Sequence, residues 1–104
     1  MKSLKSKPEA LDRFCDALLS LKTREECASF LRDLCTPSEM EAMAGRLDVA
    51  LLLHRGGKSY RDIHDETGVS LVTIGRVARF LLQEDHQGYR RVLERLDNNN
   101  KNDQ

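Results

Sequence analysis

Apolar positions recur along this chain at spacings of three and four, first as Leu11, Phe14, Cys15, Leu18 and Leu19, then as Cys27, Phe30, Leu31, Leu34 and Cys35. Each set makes a stripe one face wide on a helix of 3.6 residues per turn, so two amphipathic helices are predicted, the second ending near Cys35. Thr23 with Glu26 and Thr36 with Glu39 have the spacing of capping boxes, and Pro37 takes the favoured first helical position. A third helix therefore runs from Pro37 to about Arg55, where Gly56 and Gly57 end it. Its stretch Val49-Ala-Leu-Leu-Leu53 is apolar all the way round and requires cover on every side. A chain of 104 residues has too few neighbours to wrap helices of this length, so a homodimer is expected.

The run from Ser59 to Arg76 reads as a short helix, a glycine-centred corner and a second helix. Ser59 caps the first with Asp62 at N3, Gly68 supplies the left-handed residue that ends it, and Ser70 caps the next. This is a helix-turn-helix, over about 59–82, a geometry that lays one helix into a DNA groove. Its second helix continues through Ile74, Val77, Ala78, Leu81 and Leu82, and a last helix carries Tyr89, Val92, Leu93 and Leu96. No strand signal or internal repeat is present, so the fold class is all-α. The predicted organisation is a flexible N-terminus over 1–7, one helical DNA-binding domain over 8–97, and a disordered tail over 98–104, where Asn98-Asn-Asn-Lys-Asn-Asp-Gln104 is polar and without period.

If Ile74, Val77 and Ala78 face the core, helical geometry turns Leu71, Val72, Gly75, Arg76 and Arg79 outward. Apolar groups on such a face can meet thymine methyls, while arginine contacts guanine or phosphate. Arg61 can extend toward a base edge or pair with Asp65 one turn on. Ser70 and Thr73 suit phosphate, or serve as caps. The candidate DNA-contacting set is Tyr60, Arg61, Ser70, Leu71, Val72, Thr73, Gly75, Arg76 and Arg79. The rival readings are a plain helical hairpin and a protein-interaction module docking through Leu71, Val72 and Arg79.

Lysine and arginine number 17 against 17 aspartates and glutamates, so formal net charge is zero, which favours the protein-docking rival. Locally Arg55, Lys58, Arg61, Arg76, Arg79, Arg90 and Arg91 crowd the motif with Asp62, Asp65, Glu66, Glu84 and Asp85 among them, so DNA affinity is expected to be modest and steeply salt-dependent. Cys15, Cys27 and Cys35 are odd in number, lack CxxC spacing and fall on apolar faces, so reduced core thiols are expected, with neither disulfides nor zinc. His54, His64 and His86 have no ligand spacing, and no metal is implied. With no secretory apolar run after the basic start and no span-length apolar segment, one complete cytoplasmic domain without membrane contact is expected. No enzyme is expected: Glu84, Asp85 and His86 cluster as turn and capping residues with no nucleophile nearby.

Thr36-Pro-Ser-Glu-Met-Glu-Ala42, Arg46, Leu53-His-Arg-Gly56, Ser59-Tyr-Arg61 and Thr73-Ile-Gly-Arg76 together resemble the Trp repressor superfamily, and more narrowly its TrpR-related YerC/YecD group. The similarity spans about Leu34 to Leu82. The resemblance implies an intertwined six-helix homodimer with two projecting helix-turn-helix heads that regulates transcription, as a repressor. It further implies an effector pocket between the third helix and the recognition helix, in which one arginine stacks on the indole of the corepressor L-tryptophan and another pairs its carboxylate. Arg46 and Arg76 stand at those positions, and Thr36 matches a lining residue. Val77 and Phe80 stand where the tryptophan binder of the family has glycine and serine, and Asp33 and Cys35 replace two lining leucines. Both bulkier residues fill the space of the indole, so tryptophan gating is not expected, and another small effector is left open. Arg61 and Thr73 match DNA-contact positions, and Leu71 and Val72 stand where apolar residues face bases. Tyr60, His64 and Gly75 differ, so no operator sequence carries over.

Overall fold

The computed structural model describes residues 7–102 and contains six helices, with no strand among the described residues. They are α1 (Lys7–Leu19), α2 (Arg24–Leu34), α3 (Pro37–Arg55), α4 (Tyr60–Thr67), α5 (Leu71–Leu82) and α6 (Gly88–Asn102). The chain divides into two compact units, one ending at Met40 and one starting at Glu41.

In the first unit, α1 and α2 form a hairpin closed by Phe14 and Phe30, whose ring centroids are 6.5 Å apart. The Thr23 hydroxyl accepts from Glu26 N–H at 3.1 Å. The Glu26 carboxylate reaches one residue further back than a capping box requires and accepts from Lys22 N–H at 3.1 Å. Thr36 and Glu39 do close a reciprocal box, with Thr36 N–H donating to Glu39 Oε1 at 2.8 Å and Glu39 N–H to Thr36 Oγ1 at 3.2 Å. Neither α1 nor α2 buries a residue in the single chain. The expectation of core thiols is corrected accordingly: Cys15 is exposed, and Cys27 and Cys35 are only half-buried, because the apolar faces that carry them lack cover.

The second unit holds the core. Val49 and Ala50 of α3, Ile63 of α4, Ile74, Val77 and Leu81 of α5, and Leu93 of α6 are buried together. Of the all-round apolar stretch, Leu51, Leu52 and Leu53 stay half-buried in one chain. Gly56 and Gly57 end α3 with φ of 76° and 83°, a left-handed conformation that a side chain would strain. α5 packs on both α4 and α6, Arg90 Nε of α6 donates to Leu81 O at 3.3 Å, and His54 lies 3.5 Å from Asp97.

α6 continues to Asn102, past the Asp97 boundary after which a disordered tail is predicted. Asparagine is only modestly unfavourable in a helix, and each residue added to a formed helix gains a hydrogen bond, so polarity alone does not stop propagation. α1 likewise begins at Lys7; the rest of the predicted flexible N-terminus, and residues 103–104 of the predicted tail, lie outside the described residues. Among the described residues, no helix is long and apolar enough to cross a membrane.

The carboxyls of Glu39 and Asp62 are held below their ordinary values, chiefly by the backbone N–H of Thr36 and Ser59 and then by the hydroxyls of the same residues. A lowered folded-state value stabilises above the unfolded pKa, and the contribution is lost as pH falls through the folded one. Asp62→Asn should therefore lower stability at neutral pH, and the gap from the unsubstituted protein should close below about pH 4, as read by urea unfolding across pH.

Candidate nucleic-acid interface

The motif begins with a full capping box. Asp62 N–H donates to Ser59 Oγ at 3.1 Å, and Ser59 N–H donates to Asp62 Oδ2 at 3.0 Å. Gly68, at φ 77°, donates its N–H to His64 O at 2.8 Å and ends α4. Three contacts beyond those legible from spacing then fix the corner. The Thr67 hydroxyl donates to Ile63 O at 2.7 Å, Val69 N–H donates to Thr67 Oγ1 at 3.1 Å, and His64 Nδ1 lies 2.7 Å from Val69 O. A carbonyl only accepts, so the His64 Nδ1 carries the proton. Val69 also meets α3: a Cβ on Gly45 would stand 3.1 Å from Val69 Cγ2, so a residue without a side chain lets the corner seat closely.

Ser70 caps α5, its Oγ accepting from Thr73 N–H at 3.2 Å and donating to Thr73 Oγ1 at 3.0 Å. Both hydroxyls are thus engaged in the cap. Burial of Ile74, Val77, Ala78 and Leu81 sets the rotation of α5 about its axis. The opposite face is exposed as the pattern predicts: Leu71 at 45%, Val72 at 85%, with Arg76 and Arg79 alongside. Gly75 is half-buried, but a Cβ there would meet nothing within 4 Å. Tyr60 and Arg61 are exposed at the start of α4, and Arg61 makes no ion pair with Asp65. The motif cations differ in their surroundings. Lys58 pairs with Glu66, Arg79 Nε donates to Glu84 Oε1 at 2.8 Å, and Arg76 lies over the Phe80 ring, 4.5 Å from its centroid.

Beside α5 opens a cavity of about 490 Å³, lined by Arg46 and Leu47 of α3, Arg76, Val77 and Phe80 of α5, His86, and Gly88, Tyr89 and Val92 of α6. Four of the five predicted effector-pocket residues, Arg46, Arg76, Val77 and Phe80, are therefore brought together. The fifth, Thr36, is placed as the N-cap of α3. Among the described residues, no acidic side chain lines the cavity. Phe80 has three ring partners, the Arg76 guanidinium at 4.5 Å and the Arg79 guanidinium at 5.7 Å from its centroid, and the His86 ring stacked at 5.9 Å and 14°. Val77 lines the cavity yet is 1% exposed and belongs to the core. His86, Tyr89 and Val92 carry no sequence signal for this site, because their approach depends on how the turn after α5 folds back. Among the described residues, no group of three or more histidines, cysteines or carboxylates could hold a metal ion.

Gly75 sits inside a helix with open space beside it, so Gly75→Ala should raise stability by about 0.5–1 kcal/mol, measured by thermal or urea unfolding. That gain would mean the fold does not require glycine there.

Residues 9–97 match the family model described as Trp repressor protein. The chain is 42% identical over 92 residues to the uncharacterised protein YerC of Bacillus subtilis strain 168, covering 88% of this chain and 86% of YerC. It is similar to a crystal structure of a candidate Trp repressor from Staphylococcus aureus, with a TM-score of 0.79 and 40% identity over 86% of this chain and 87% of that one. A TrpR-like protein from Eubacterium eligens ATCC 27750 gives a TM-score of 0.78 and 39% identity over 90% of this chain and 93% of that one. The six-helix, all-α architecture is that of these TrpR-like proteins.

Proposed function

We propose that this chain, which belongs to the Trp repressor family, is a homodimeric, sequence-specific double-stranded DNA-binding transcriptional regulator that acts as a repressor. Family membership points to a DNA-binding regulator rather than an enzyme. The observation that carries the reading is the outward face of α5. Val72, at 85%, is the most exposed large hydrophobic among the described residues, and it stands in the first turn of a capped helix, one turn before the exposed Arg76. Such a residue is costly against water and useful against a thymine methyl. Arg61, Arg76 and Arg79 supply charge for phosphate or guanine, and Tyr60, Leu71, Thr73 and Gly75 complete the contact surface around Ser70. Repression would follow from steric occlusion of a promoter.

Homodimerisation is supported by what one chain leaves uncovered. Leu11 is 62% exposed and Leu19 83%, with no buried residue on α1 or α2, and Val92 and Leu96 of α6 are exposed as well. A second copy is the natural cover, and a two-fold dimer would set the two α5 helices into successive major grooves, about 34 Å apart on a palindromic site.

Regulation by L-tryptophan is not part of this proposal. Arg76, one of the two arginines that the family pattern would place around the ligand, lies on Phe80 instead, and Phe80 is close in size to the indole it would replace. The stack Arg76, Phe80, His86 supports a recognition helix propped from within, and the remaining cavity is open to a small effector of different shape.

Zero net charge favours one rival, a docking face for another protein made of Leu71, Val72 and Arg79. Added salt separates the two, since DNA binding weakens steeply with salt and apolar docking hardly responds.

Incubation of the purified protein with fragmented DNA from its source, followed by sequencing of what it retains, should enrich a palindrome equally with and without L-tryptophan. Enrichment only with tryptophan would show that Phe80 does not block the pocket, and no enrichment in either condition would give the lead to protein docking. In calorimetry, the double variant Val77→Gly, Phe80→Ser should acquire heat of L-tryptophan binding that the unsubstituted protein lacks; a folded double variant without heat would count against the pocket account.

A further inference from the structure

Two cations of the helix-turn-helix are already held by carboxylates. Lys58 pairs with Glu66 across α4, and Arg79 on the outward face of α5 donates to Glu84 at 2.8 Å. The second pair is pre-set by the backbone. Gln83 N–H and Glu84 N–H both donate to Arg79 O, at 2.8 and 3.1 Å, so the turn that ends α5 folds the Glu84 side chain back onto the helix that leads into it. The Arg79 side chain is 65% exposed and that of Glu84 only 31%. Asp85, the next residue, is exposed and makes no ion pair among the described residues. By contrast, Arg61 and Arg76 on the same surface have no carboxylate partner among the described residues.

A carboxylate on a guanidinium takes the donors that a DNA phosphate would take. For Arg79 to reach a phosphate the pair must open, and the freed Glu84 charge then stands close to the phosphate backbone. The gain is reduced a second way. Affinity from phosphate neutralisation comes largely from counterion release, and an arginine already neutralised from within contributes less of it.

We propose that Glu84 is a built-in competitor of DNA phosphate for Arg79. It lowers the electrostatic affinity of the protein for DNA of any sequence, so that recognition leans on the base-facing side chains of α4 and α5. The inference rests on the DNA-binding reading above and adds a residue outside the predicted contact set.

The test measures affinity of the full chain for a random-sequence duplex across a salt series, beside the palindrome recovered by enrichment. Glu84→Gln should bind the random duplex about two- to five-fold more tightly, the range expected for releasing an exposed ion pair, with a log–log salt slope steeper by about 0.9. Asp85→Asn changes charge equally in the same turn and should have less than half that effect. In an Arg79→Gln background, Glu84→Gln should have no effect beyond that of Asp85→Asn. Equal effects of the Glu84 and Asp85 variants, or a Glu84 effect that survives loss of Arg79, would overturn the inference in favour of general repulsion. A protein that binds duplex with affinity unchanged by Glu84→Gln overturns it while leaving the DNA reading intact. If neither the unsubstituted protein nor any variant binds either duplex, the DNA reading falls and takes the inference with it.

Discussion

Burial of one face of α5 is the constraint from which the rest of the second unit follows. Ile74, Val77, Ala78 and Leu81 can leave water only by packing into the core with Val49, Ala50, Ile63 and Leu93. Ile74, Val77 and Leu81 each contribute roughly 1.5–3 kcal/mol on burial, more than an exposed ion pair on the motif. The apolar face therefore decides the rotation of the helix, and the polar face takes what is left. Leu71, Val72, Arg76 and Arg79 point outward because their neighbours point in.

Caps and corner then convert that rotation into a defined projection. Ser59 with Asp62, Gly68, and Ser70 satisfy the ends of two short helices, one of them only eight residues long, that would be marginal alone. His64 and Thr67 tie the corner to itself, and Gly45 lets α3 approach it. The outward face is thereby held by groups that do not lie on it. The cavity beside α5 is linked to the same core through Val77, which serves both, while Phe80 is held by the Arg76 and Arg79 guanidiniums and the His86 ring.

Much of this was legible in the chain. The capping residues, the glycine stops, the helical register of α5 and its outward residues all depend on near neighbours, and each appears where spacing places it, apart from Glu26, which reaches Lys22 instead of closing a box on Thr23. Two further expectations differ from the structure, each for its own reason. The thiols of α1 and α2 were expected in a core and are not covered within one chain. The tail after Asp97 was expected to be irregular on polarity and continues as helix, because a polar composition does not distinguish a solvated helix from a loose segment.

Local pattern alone determined the six helices, their caps and the identity of the outward face, because a helix is specified by contacts three and four residues apart. Tertiary structure alone decided that His86 stacks on Phe80, that Glu84 turns back onto Arg79 and that Val69 presses on Gly45. Those meetings depend on how turns reverse the chain and on which surfaces come within van der Waals reach, and no periodicity in the sequence encodes either.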